Sequence, residues 1–133
     1  MIQAQLGHMQ FNVQSENLAF YRDLMAFLGW GKSYDDDGML MVESSGVTIA
    51  FIGEVKNVAN DYDGPGMNHI AFAAASIADV DAAVEYLKQQ AVAALFETPR
   101  HRPEFSSDAD TYYQVMFESP DRILIEIVYA GPK

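Results

Sequence analysis

Apolar and polar residues alternate through residues 6–13, with Met9, Phe11 and Val13 on one side and His8, Gln10 and Asn12 on the other. A period of two predicts a strand with one apolar face and one polar face. Leu18, Tyr21, Leu24, Met25 and Leu28 then recur at helical spacing, with Ser15 as the expected N-cap and Gly29 and Gly31 as the stop. Residues 34–37, 39–43 and 47–52 read as three strands, divided by an Asp- and Gly-rich turn at Gly38 and by Ser44-Ser45-Gly46. The first part of the chain is therefore a β-α-β-β-β unit.

The same order returns after a polar connector. Ile70, Phe72 and Ala74 alternate against His69, Ala71 and Ala73, and Ser76 with Asp79 fits the capping box of a helix. Ile77, Val80, Val84 and Leu87 give that helix its apolar stripe, which ends near Gln90. Residues 94–97 are expected to be a short strand, 98–110 a long polar loop, and 111–117 with 123–129 a hairpin across Ser119-Pro120-Asp121-Arg122. Gly7-His8-Met9-Gln10-Phe11 is echoed by Asn68-His69-Ile70-Ala71-Phe72, and Ser15 and Ser76 follow their histidines at the same distance. A repeat of this kind dictates architecture. The expectation is one α+β domain of two tandem β-α-β-β-β modules, 1–54 and 68–133, joined by a connector at 55–67. Their strands would form a curved, mostly antiparallel, eight-stranded cleft with the helices outside. The loop at 98–110 has no counterpart in the first module.

Composition narrows the class. With 133 residues, 50% hydrophobic and 20% charged, the chain is long enough for a well-buried core and reads as globular. It has no cysteine, which excludes disulfides and thiolate zinc sites. No apolar run is long enough for a membrane span and no basic-apolar leader opens the sequence, so a cytoplasmic location is expected. A formal net charge of -11, from 8 basic and 19 acidic residues, opposes binding to nucleic acids and anionic membranes.

One residue breaks the apolar pattern of the last strand. Ile123, Ile125, Ile127 and Tyr129 share a face, while Glu126 lies between Leu124 and Val128 on the other. A carboxylate there is costly to bury unless it is paired, protonated or bound to a metal. The chain has only 3 histidines, and two of them, His8 and His69, occupy equivalent repeat positions. Imidazole and carboxylate suit zinc, iron(II), manganese and nickel, and two histidines with one carboxylate leave positions open for water or substrate.

The Gly-His start, the repeated unit and the run Tyr-Gln-Val-Met-Phe-Glu-Ser-Pro-Asp-Arg-Ile-Leu-Ile-Glu-Ile-Val at 113–128 resemble the vicinal oxygen chelate superfamily. That group includes glyoxalase I, extradiol dioxygenases, and fosfomycin and bleomycin resistance proteins. The resemblance covers nearly the whole chain. It implies metal ligands on the first and last strands of each half, at His8, His69 and Glu126. Laying residues 47–52 on 123–128 sets Ala50 against Glu126, and alanine cannot ligate, so the four-ligand pattern of glyoxalase I is not complete. Arg122 stands where the family's Asp-Pro-Asp-Gly turn has glycine.

Further site candidates follow from position. One of Tyr112 and Tyr113 must face the polar side of its strand, and Tyr113 is taken with Glu126 and His101 as the catalytic set. His101, in the unmatched loop, could close over the site as an acid or base. Gln10 and Asn12 share the face of His8 and could orient a ligand. The resemblance implies a glyoxalase-like, divalent-metal-dependent lyase or isomerase acting on a small substrate with vicinal oxygens. Its alternatives are an extradiol-type dioxygenase, for which the chain is small, and a non-catalytic antibiotic-binding resistance protein. A homodimer is expected, because family members usually pair and an open sheet leaves edges to cover.

Overall fold

In the computed structural model, which describes all residues from Met1 to Lys133, the alternating stretch around His8 becomes strand β1 (His8–Asn12). A 3-10 turn at Ser15–Asn17 leads into helix α1 (Leu18–Phe27), followed by β2 (Gly31–Asp35), β3 (Met39–Ser44) and β4 (Val47–Ile52). These strands form one sheet in the order β1-β4-β3-β2, in which β1 and β4 are parallel and the other pairs antiparallel. Leu18, Tyr21, Leu24 and Met25 of α1 are buried, as are Leu40, Val42, Ile49 and Phe51 of the sheet. Tyr21 stacks on Phe51 with ring centroids 4.6 Å apart, which locks helix to sheet.

Ser15 does not cap the helix. Its hydroxyl accepts instead from the backbone N–H of Glu54, at 3.0 Å, and so ties the exit of β4 to the start of the helical segment. The helix ends as its glycine requires. Gly29, at φ 81°, donates to the Ala26 carbonyl, and Trp30 donates to that of Met25, which completes a Schellman motif. On the surface, Arg22 of α1 and Lys32 of β2 both bond Asp35, and they hold its carboxyl down to about 2. The guanidinium is the larger influence.

The chain divides into two compact units, Met1–Ala59 and Asn60–Lys133. The second contains β5 (Ile70–Ala73), α2 (Ile77–Gln89), β6 (Arg100–His101), β7 (Asp110–Glu118) and β8 (Leu124–Pro132), with a 3-10 turn at Pro103–Phe105. Its sheet order is β5-β8-β7-β6, again with one parallel pair, β5 and β8. Ser76 caps α2 as expected, accepting from the backbone N–H of Asp79 at 3.1 Å. Val80, Ala83 and Leu87 bury the apolar face of the helix. No helix in the chain is long and apolar enough to cross a membrane.

One expectation for this unit needs correction. Residues 94–97 are not a strand, because Phe96 and Glu97 both take positive φ, 57° and 61°, which no ladder accommodates. The strand beside β7 is the shorter β6, inside the stretch read as loop. The hairpin turns across Ser119-Pro120-Asp121-Arg122 as expected, with the Arg122 N–H donating to the Ser119 carbonyl at 3.0 Å. Arg122, at φ 58°, adds one residue before the ladder starts, so the Ser119 N–H donates to the carbonyl of Ile123 at 2.9 Å and Glu118 pairs with Leu124. A two-residue loop, with Ser119 paired to Arg122, would set Glu118 against Ile123. That single step would exchange the two faces of β7.

Candidate active site in the second unit

The register of β7 and β8 decides which side chains meet. Met116 lies opposite Glu126 and Gln114 opposite Val128, so Tyr112, Gln114, Met116 and Glu126 share one face of the sheet. Tyr113, Val115 and Phe117 share the other, and Tyr113 donates its hydroxyl to Asp81 of α2 at 2.6 Å. The helix-facing side is therefore a dry core closed by Val115, Phe117, Ile125 and Ile127. Met116 and Leu124 pack with Tyr62 and Leu95 on the opposite side, next to Glu126.

Glu126 is 3% exposed, and both carboxylate oxygens are engaged. The Tyr112 hydroxyl donates to Oε1 at 2.5 Å and the Gln114 amide Nε2 to Oε2 at 2.5 Å. The amide cannot turn round, because Arg102 Nη1 donates to its Oε1 at 2.8 Å. Arg102 is itself held by Glu104 and lies over the ring of Phe105. Burial, and secondly the bond to Glu126, push the Tyr112 phenol up to about 12, so it stays a proton donor at neutral pH. Charge-assisted bonds of this kind are what allow a carboxylate in an apolar strand.

His69 precedes β5, the parallel neighbour of β8, where Ala71 pairs with Glu126. Its Nε2 lies 3.9 Å from Glu126 Oε2, and its Nδ1 lies 2.7 Å from Asn68 Oδ1. The imidazole is 37% exposed against 4% for the carboxylate side chain, so the pair sits at the edge of solvent. One imidazole nitrogen facing one carboxylate oxygen is a donor set that fits a divalent ion, since each carboxylate oxygen has a second lone pair to offer. No third histidine, aspartate or glutamate of this unit joins them.

The remaining candidates are placed apart from this pair. Tyr113 is on the α2 side of the sheet, where the bond to Asp81, helped by burial, holds its phenol at about 12. Tyr112 takes the position expected of Tyr113, because the extra residue at Arg122 sets Glu118 against Leu124. His101 pairs with Tyr113 across β6 and β7, tilts against its ring at 4.6 Å and contacts Thr111 Oγ1 through Nδ1 at 2.5 Å. It lines a separate cavity of about 650 Å³ with Ile77, Pro103, Ser106 and Thr111. Neither residue touches Glu126, because each belongs to the α2 face. In the first unit, His8 is exposed at the start of β1, and Gln10 and Asn12 bond to each other at 3.0 Å. The ladders set Gln10 against Ala50 just as Ala71 is set against Glu126, so Ala50 holds the equivalent place in its own sheet.

Sequence reasoning held Tyr112 as the alternative to Tyr113, and it missed Gln114, Arg102 and Asn68. Only Asn68 carried a signal, as the residue before a repeated histidine. Arg102 sits in a loop whose path to Gln114 nothing local predicts.

Comparison with known proteins places this fold. The model of the Glyoxalase/Bleomycin resistance protein/Dioxygenase superfamily matches residues 5–127. A glyoxalase candidate from Bacillus halodurans is 26% identical and superposes with a TM-score of 0.80 over 96% of both chains. A glyoxalase/dioxygenase from Nostoc punctiforme is 20% identical, with a TM-score of 0.73 over 100% of this chain and 98% of its own. The fosfomycin resistance protein FosX from Listeria monocytogenes, in complex with Mn(II) and sulfate, is 20% identical, with a TM-score of 0.69 over 95% of this chain and 90% of its own. No curated protein matches the sequence. With a match running from the strand of His8 to that of Glu126, the chain belongs to the Glyoxalase/Bleomycin resistance protein/Dioxygenase superfamily.

Proposed function

We propose that the protein is a glyoxalase-like, metal-dependent enzyme of the lyase or isomerase type, acting on a small substrate with two neighbouring oxygens. His69 and Glu126 would hold the metal. The observation that carries this reading is the approach of His69 Nε2 to Glu126 Oε2, at 3.9 Å, on the face that also carries Tyr112 and Gln114. A divalent ion bound there would supply Lewis acidity to the substrate oxygens. Tyr112 and Gln114 hold the carboxylate in one orientation, and Arg102 holds Gln114. Half-exposed His69 leaves the approach open to a small molecule. Tyr112, a phenol that keeps its proton and commits it to Glu126 Oε1, cannot serve as the base. Tyr113 and His101, on the far face, have no part in this mechanism.

A second reading has a specific observation behind it. Both oxygens of Glu126 already accept hydrogen bonds within the chain, so the carboxylate is satisfied without a metal. The same face would then bind and sequester a small molecule. Titration of chelator-treated protein with manganese, zinc, nickel and iron(II) separates the two. The enzyme reading expects stoichiometric binding of at least one ion, lost in His69→Ala and Glu126→Ala variants that keep their folded circular dichroism. No stoichiometric binding by any of the four leaves only sequestration.

A further inference from the structure

We infer that Asn68 is a positioning residue that fixes the tautomer of His69, with the proton on Nδ1 and the lone pair of Nε2 turned towards Glu126. The assignment follows from a chain of hydrogen bonds in which each link admits one direction. The carbonyl of Tyr62 can only accept, and it lies 3.0 Å from Asn68 Nδ2. The amide of Asn68 is thereby oriented, because turning it would bring two oxygens together. Its Oδ1, which also can only accept, then lies 2.7 Å from His69 Nδ1. Nδ1 must be the protonated nitrogen of the neutral ring, and Nε2 is left as an acceptor.

The reference point of this chain is firmly held. Tyr62 is 8% exposed, donates its hydroxyl to Glu118 at 2.5 Å and lies under the Arg122 guanidinium, 5.1 Å from the ring centroid. The backbone carbonyl of Arg122 in turn accepts from Asn60 Nδ2 at 2.9 Å. The guanidinium over the Tyr62 ring gives the arginine in the β7–β8 turn a purpose that glycine would not serve. The polar stretch before β5, which by composition is a connector, works as a template for the histidine that follows it.

The consequence is that two lone pairs, on Nε2 and on Oε2, face each other across 3.9 Å. A cation between them, or a proton on the carboxylate, removes that conflict in the neutral tautomer. This consequence rests on the metal reading above, whereas the tautomer does not.

Long-range proton–nitrogen correlation spectra of the metal-free protein at about pH 9, where imidazoles are neutral, read the tautomer directly. The expected spectrum has a pyrrole-type Nδ1 and a pyridine-type Nε2 for His69. A proton on Nε2 in the wild type overturns the inference, whatever the protein's metal affinity. In Asn68→Ala the ring should take up the Nε2–H form in part, and manganese affinity should fall about 10- to 100-fold, the usual effect of losing a ligand's hydrogen-bonded support. An Asn68→Ala variant with unchanged His69 nitrogen shifts also overturns it. A wild type with the expected tautomer that binds no metal sinks the metal reading alone.

Discussion

A buried carboxylate is stable in a strand only if its neighbours donate to it, and the two tyrosines of β7 divide that task unequally. Tyr112 bonds Glu126 on one face, and Tyr113 bonds Asp81 on the other. Tyr112→Phe leaves Oε1 of a buried group without a donor and should cost about 1–3 kcal/mol. It should also weaken manganese binding, because the carboxylate is freed to turn. Tyr113→Phe removes a bond at the helix surface, should cost about 0.5–1.5 kcal/mol, and should leave manganese binding unchanged. Urea midpoints and metal titrations on the two variants check this, and a metal effect confined to Tyr113→Phe would reverse the face assignment. The sequence marks Glu126 plainly, since one acid in an apolar run stands out. It does not distinguish Tyr112 from Tyr113, because the parity of β7 depends on whether Glu118 pairs with Ile123 or Leu124. A single residue in an αL turn makes that choice.

Secondary-structure elements whose signals are local were legible, and those set by distant partners were not. The apolar stripes of α1 and α2, the Ser76 cap and the Gly29 stop are all encoded within a few residues. Ser15 offered the same cap signal as Ser76, but the backbone N–H of Glu54, far along the chain, takes its hydroxyl. The short strand expected at 94–97 fails for a related reason: Leu95 gives its N–H to Met116, and the chain then turns through positive φ at Phe96 and Glu97. The two helices also end alike with unlike residues. Ala91 donates to the Lys88 carbonyl and Val92 to that of Leu87, a Schellman motif built on alanine at φ 56° where α1 has glycine. The left-handed conformation costs an alanine about 1–2 kcal/mol, and part of that gain is offset by the freer unfolded chain of glycine. Ala91→Gly should therefore stabilise the protein by about 0.5–1 kcal/mol. A urea midpoint that rises at constant slope is the expected result. A fall would mean that the Cβ of the exposed Ala91 makes a contact worth more than the strain.

Across the whole molecule, charge and open strands pull in opposite directions. Each sheet ends in edge strands, β1 and β2 in one and β5 and β6 in the other, which present unpaired backbone groups along one side within their own sheets. Such edges favour association, and a symmetric homodimer is the ordinary way for two copies of one chain to cover them. Against this, each copy carries a formal charge of -11, so two copies repel at long range. The repulsion is screened within about 10 Å at ~0.1 M salt but reaches about 30 Å at ~0.01 M. The expected outcome in light scattering and sedimentation is a dimer mass at about 0.15 M salt, with dissociation favoured as salt is lowered and the protein diluted. Dissociation driven by raising the salt would instead mean that opposite charges meet across the interface. The few basic residues would then be concentrated there rather than spread over the surface. A monomer mass at every concentration and salt tested rejects the dimer outright.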